Sequence, residues 1–134
     1  MKSLRGISLL FALAAVYDAV LGFVFLFAPG PVFEWFDVVP PNHPGYVQFP
    51  AALLITFALM FVAIAVDPAK NRNLIPYGVL LKVSYCGVVA KYWFTTGLPG
   101  IWKPFCIADA VFLVLFVLSW LSLKKPVDSS AAGG

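Results

Sequence analysis

The chain has 134 residues, of which 62% are hydrophobic and 11% are charged, and its formal net charge is +3. Soluble globular domains contain about 45–50% apolar and about 25% charged residues. A soluble fold of this length could not bury so much apolar surface, so the composition excludes an ordinary soluble domain and favours a single membrane-embedded one.

Four apolar blocks are each long enough to cross the hydrocarbon core of a bilayer, which is roughly 30 Å thick, as a helix. In chain order they cover residues 7–28, 50–66, 74–96 and 104–123. No proline lies at the centre of a block, as expected for helices. We therefore predict an all-α fold, an integral membrane bundle of four antiparallel helices. It forms one domain over residues 1–123, followed by a flexible cytoplasmic tail over residues 124–134.

The first block contains a seam of small residues at helical spacing. Its members are Ser8, Ala12, Ala15, Ala19 and Gly22. Small residues on one face allow two helices to approach closely in lipid. The seam therefore predicts a packing surface.

The loop after the first block reads "PGPVFEWFDVVPPNHPGYVQF". Pro31 is suited to start a short helix with apolar residues on one side and acidic residues on the other. We expect this helix to lie along the outer membrane surface. The loop also holds the only histidine, His43. One histidine cannot supply a bis-histidine haem site or a histidine-rich zinc site, so no metal site is expected.

Basic residues flank the blocks unevenly. The loops over residues 29–49 and 97–103 contain only Lys103, whereas the opposite side holds Lys2, Arg5, Lys70, Arg72, Lys124 and Lys125. The positive-inside rule then places both termini in the cytoplasm, as a multi-pass protein of the cell's inner membrane. The net charge reflects this topology, and no basic stripe suggests a nucleic-acid partner.

Four charged residues lie inside the blocks, and their depths can be compared from a helical rise of about 1.5 Å per residue. On that scale Lys82 lies roughly 12 Å and Asp18 roughly 16 Å from the cytoplasmic face, while Asp109 and Lys91 lie at roughly 22 and 25 Å. We therefore predict that Lys82 contacts Asp18, and that Lys91 reaches the outer boundary near Asp109.

These four residues, together with Tyr85, form a candidate intramembrane polar site. A charged side chain at the bilayer centre is costly, so unpaired placement is not expected. Two interpretations remain open. The pairs are buried salt bridges that fix helix register, or they mark a path for an ion, a proton or a substrate.

Aromatic residues concentrate near the outer boundary. Trp35, Tyr46, Trp93 and Trp102 are the candidates there for a surface that binds a lipid-like ligand or a partner subunit. An aromatic belt at the membrane interface is the alternative explanation.

The two cysteines, Cys86 and Cys106, lie at depths about 10 Å apart by the same helical rise. A disulfide requires Cα atoms within about 7 Å, so none is expected.

Several segments resemble small bacterial four-span proteins of the DoxX-like type. They are "YDAVLGFVFLFAP", "YVQFPAALL", "AVDPAKNR", "LLKVSY" and "ADAVFLVLF". The resemblance as a whole extends over roughly residues 7–123. The resemblance implies a four-helix membrane fold and an association with quinone-coupled sulfur oxidation or redox membrane complexes. No catalytic residue is carried over from it.

Three functions follow as hypotheses. The first is a non-catalytic accessory or assembly subunit that packs against other membrane proteins or against its own copies. The second is a small oligomeric transporter or channel that uses Asp18 and Lys82. The third is a quinone- or lipid-handling protein. No P-loop, GxSxG or GxGxxG motif occurs, so catalysis is not the favoured function. No cofactor is predicted, although quinone, lipid and pigment are compatible ligands.

Overall fold

The computed structural model describes the backbone of residues 2–123 and the side chains of residues 4–123. The predicted tail over residues 124–134 lies outside the described residues.

The described chain is all-α. Its five α-helices are α1 (Lys2–Phe27), α2 (Pro29–Trp35), α3 (Gly45–Val66), α4 (Ile75–Trp93) and α5 (Trp102–Ser122), with a 3-10 turn at Arg72–Leu74 before α4. Four of them, α1, α3, α4 and α5, are long and apolar enough to cross a membrane. The predicted all-α class with four candidate spans is therefore confirmed.

Helix ends differ from the predicted limits by two or more residues at four places. α1 begins at Lys2, five positions before the predicted residue 7. α3 begins at Gly45, before the predicted residue 50, so Pro50 lies inside the helix. The earlier start has a local cause, since the Gly45 N–H donates to His43 Nδ1 at 3.0 Å. α4 ends at Trp93, before the predicted residue 96. Gly97 then adopts a positive φ of 86° and donates its N–H to the Tyr92 carbonyl, a glycine-dependent helix stop. α5 begins at Trp102, two positions before the predicted residue 104.

The short helix α2 occupies the place predicted for a helix in the first outer loop. Its buried residue is Phe33, whose ring packs against the rings of Phe25 and Trp102 with centroids 6.2 and 6.4 Å away. Asp37 follows with a φ of 55°, which turns the chain away from the helix axis. α2 is thereby fixed to the ends of α1 and α5.

The long helices associate chiefly as two pairs, α1 with α3 and α4 with α5. The small-residue seam contributes to the first pair. A Cβ added at Gly22 would lie 2.7 Å from Ile55 Cγ1 and 2.8 Å from the Ala51 carbonyl oxygen. Only a glycine permits this approach of α1 to α3.

Three phenylalanines hold the two pairs together. Phe11 of α1, Phe61 of α3 and Phe116 of α5 are fully buried. The Phe11 and Phe116 rings stack at 4.5 Å, and the Phe61 and Phe116 rings lie 5.2 Å apart. Phe61 also packs so closely on Gly78 of α4 that a Cβ there would lie 2.7 Å from its Cε1. All four long helices therefore meet at this cluster.

A further contact joins the α3–α4 connection to α5. The Arg72 guanidinium stacks on the Trp120 ring at 4.3 Å, and Arg72 Nε donates to the Trp120 carbonyl at 3.0 Å. Because an arginine that does both is held at two points, the end of α5 is anchored beside the start of α4.

The close approach at Gly22 can be tested by adding one methyl group. Gly22→Ala should lower the free energy of unfolding by roughly 1–3 kcal/mol, because the new Cβ meets backbone that cannot move independently. Gly87→Ala is the matched control, since a Cβ at Gly87 meets nothing within 4 Å. Denaturant-induced unfolding in detergent micelles measures both variants, and equal stability losses would contradict the assigned contact.

Candidate functional site

A single buried ammonium group lies between two carboxylates. Lys82 Nζ is 3.1 Å from Asp18 Oδ1 and 3.2 Å from Asp18 Oδ2, and it is 3.0 Å from Asp109 Oδ1. The side chains of Lys82 and Asp18 are 0% and 1% exposed, and that of Asp109 is 11% exposed. We call these three residues the triad.

Helical spacing explains why the triad points inward. Asp18 continues the buried stripe of α1 that includes Phe11, Ala14 and Ala15. Lys82 shares the buried face of α4 with Ile75, Gly78 and Val89, and Asp109 shares that of α5 with Phe116 and Ser119. Each charged residue therefore occupies a core position on an otherwise apolar or small-residue face.

The contact between Lys82 and Asp18 agrees with the sequence prediction, but the partner assigned to Asp109 does not. Asp109 binds Lys82 rather than lying beside Lys91. The cause is the register of α4 against α5. Cys86 Sγ lies 3.5 Å from the Cys106 carbonyl oxygen, which brings Asp109 level with Lys82. Lys91 lies roughly 13 Å farther along α4 by the helical rise.

Lys91 lies on the surface of the protein. The residue is exposed, and its Nζ lies 5.3 Å from the ring centroid of the adjacent Tyr92. No carboxylate pairs with it among residues 4–123. The structure therefore separates Lys91 from the other charged members of the predicted polar site.

Aromatic rings enclose the ammonium group on its remaining sides. The ring centroids of Tyr17, Phe61 and Phe112 lie 5.4, 5.8 and 5.2 Å from Lys82 Nζ. The faces of aromatic rings attract cations, most strongly where water is excluded. The triad is therefore held in a largely apolar shell contributed by α1, α3 and α5.

Two tyrosines border the triad, and only one was predicted. Tyr85 donates its hydroxyl hydrogen to the Trp102 carbonyl at 3.0 Å, so it ties α4 to the first turn of α5. The hydroxyl of Tyr17 is buried and has no hydrogen-bond partner within residues 4–123. Tyr17 directly precedes Asp18, and that adjacency is the signal by which the sequence could have identified it.

The four candidate rim residues differ in their exposure. Trp35 and Tyr46 are 81% and 70% exposed. Trp93 is partly covered, and Lys103 Nζ lies 5.1 Å from its ring centroid. Trp102 packs inward, with its ring 5.7 Å from that of Phe25. Trp102 is half-buried, so one part of its ring packs against Phe25 and Phe33 while another part stays at the surface.

The two thiols are free, but the predicted difference in their depth was wrong. The Cys86–Cys106 contact places them at the same level of the α4–α5 interface. The described part of the chain holds no group of three or more His, Cys, Asp or Glu side chains able to bind a metal. His43 instead accepts the local hydrogen bond from Gly45.

No protein-family model, curated protein or solved structure matches this chain.

The triad predicts a non-additive response to losing its carboxylates. Asp18→Asn or Asp109→Asn alone leaves Lys82 one charged partner, so each should cost little stability. The double variant leaves the ammonium uncompensated and should cost about 3–5 kcal/mol of unfolding free energy. Denaturant unfolding in micelles measures all three variants.

Lys82→Met supplies the control for that measurement. Added to the double variant, it removes the uncompensated charge and should recover most of the lost stability. If the double variant loses only as much unfolding free energy as the two single variants together, the two carboxylates do not share Lys82.

Proposed function

We propose that this chain is a multi-pass protein of the cytoplasmic membrane that serves as a non-catalytic accessory subunit of another membrane protein. Its four long helices suit a bilayer in length and composition. Their outward side chains are largely apolar, including Leu9, Leu59, Val88 and Leu118. Most of the chain would therefore contact lipid or the spans of a partner.

In the proposed topology, the four long helices run antiparallel and both termini face the cytoplasm. The basic residues of the α3–α4 connection, Lys70 and Arg72, support this orientation, since cytoplasmic loops are enriched in lysine and arginine. α2 would then lie at the outer surface. Its exposed Trp35 suits the headgroup region, where tryptophan is enriched.

The observation that carries the accessory role is an open groove between α1 and α5. It has a volume of about 450 Å³. Its lining is Gly6, Ile7, Leu10, Leu115, Leu118, Ser119 and Ser122. The backbones of α1 and α5 come close at few points because each helix packs chiefly on its own partner, and the groove remains between them.

The lining of this groove suits a transmembrane helix. A Cβ added at Gly6 would meet nothing within 4 Å, so the backbone of α1 is open there. The hydroxyls of Ser119 and Ser122 donate to carbonyls of their own helix, Leu115 and Ser119, so they present no unsatisfied donor. Small residues allow the backbones of two helices to approach closely in lipid. The proposed occupant is one apolar span of a different membrane protein.

Topology is tested by labelling single cysteines in a background that lacks Cys86 and Cys106. A membrane-impermeant maleimide should reach the Asn42→Cys variant in intact cells. The Asn73→Cys variant should react only after the membrane is permeabilised. Both positions are exposed, so accessibility within the protein does not distinguish them. Labelling of Asn42→Cys only from the cytoplasm would reverse the proposed orientation.

The accessory role is tested by filling the groove. Gly6→Leu should abolish co-purification of the chain with its partner from native membranes in mild detergent, because the side chain occupies the partner's position. Gly87→Leu is the matched control, since its position is equally open but lies on the exposed face of α4. Native mass spectrometry identifies the complex.

Three results would contradict the accessory role. They are a lone monomer in the wild type, an assembly made only of this chain, and a complex that survives Gly6→Leu.

A further inference from the structure

We propose that the triad binds one exchangeable proton, carried on Asp109. This site goes beyond the accessory role and does not depend on it, because it follows from charges inside the protein rather than from the groove.

The first step is the balance of charge. The triad contains two carboxyl groups and one ammonium group, and no second cation pairs with either carboxyl among residues 4–123. With every group ionised, the triad would hold a net negative charge in an apolar interior. An uncompensated buried charge is strongly unfavourable, whereas an ion pair beside a neutral acid is balanced. One proton completes that balance.

The second step locates the proton. The three hydrogens of the Lys82 ammonium match its three contacts, two with Asp18 and one with Asp109 Oδ1. Asp18 is therefore held by both oxygens, as the counterion of Lys82. Asp109 Oδ2 accepts no hydrogen bond from the described residues. It is the oxygen left free to carry a hydrogen.

The third step concerns the contacts that the added proton would disturb. The Asp109 side chain is 11% exposed, and that of Asp18 is 1% exposed. A proton on Asp109 Oδ2 leaves both contacts between Lys82 and Asp18 in place. Exchange at this carboxyl alternates the triad between a neutral and a singly negative state.

The other groups facing the triad do not supply the missing positive charge. α3 contributes the apolar Phe61. The titratable neighbours on the remaining helices are Tyr17, Tyr85 and Cys86, which are uncharged in their ordinary protonated forms. They leave the charge of the triad unchanged at neutral pH.

Infrared difference spectroscopy of the purified full chain in lipid nanodiscs, with isotope-labelled aspartate, tests the proposal. The wild type should show one protonated aspartate band per chain at neutral pH, lost on alkaline titration. Asp109→Asn should remove the band without unfolding the protein, because the amide has the shape of the neutral acid. Asp37→Asn is the control and should retain the band, since Asp37 lies in the exposed turn after α2.

The Asp18→Asn variant distinguishes a proton that balances the charge of the triad from a proton that Asp109 keeps because its carboxyl group is buried. With one carboxyl left, Lys82 and Asp109 balance each other, so the band should again be lost. A band that persists in Asp18→Asn would overturn the proposal, as would its retention in Asp109→Asn or its absence from the wild type. The wild-type titration decides the matter alone if a variant does not fold.

Discussion

The described fold depends most on the contacts that the Lys82 ammonium group makes with Asp18 and Asp109. The ammonium group is completely buried on α4, and it binds one carboxylate on α1 and another on α5. The two helix pairs otherwise meet mainly through phenylalanine rings, which resist sliding only weakly. A charged group with fixed partners allows a single register, since any displacement would leave a buried charge without its hydrogen bonds. The triad therefore links three helices through charge-assisted hydrogen bonds, whereas the apolar packing supplies contact area.

The pairing of the helices also determines which side chains lie on the lateral surface of the protein. Because α1 packs on α3 and α4 packs on α5, no long helix is surrounded by its own chain. Buried residues make up at most 33% of the apolar 18-residue window of any candidate span. The remaining apolar surface of these helices must be covered by lipid tails or by the spans of another protein. In lipid this exposure carries no hydrophobic penalty, so shape and small residues determine where a neighbour binds.

The sequence predicted the helices well and the register between them poorly. The length of an apolar block is a property of each segment alone, so it can be found without knowing the neighbouring helices. Comparing depths along two blocks was enough to predict the contact between Asp18 and Lys82. The level of Asp109 depends instead on where α4 ends and α5 begins. Gly97 and Trp102 set those ends through local turn geometry and tertiary packing, to which hydropathy is insensitive. The early start of α5 also includes Trp102 in the helix, and α3 begins at Gly45, beside the hydrogen bond at His43, so that it includes Pro50.

The order of the triad along the chain has a consequence for biosynthesis. Asp18 is made first, Lys82 next and Asp109 last, so one counterion of the ammonium group precedes it in the chain and the other follows it. The helix that carries Lys82 also has the lowest hydropathy of the four candidate spans, 1.3 against 2.3–2.5. α1 therefore carries the one counterion of Lys82 that is synthesised before α4. The second carboxyl group of the triad follows only with α5, the last of the described helices.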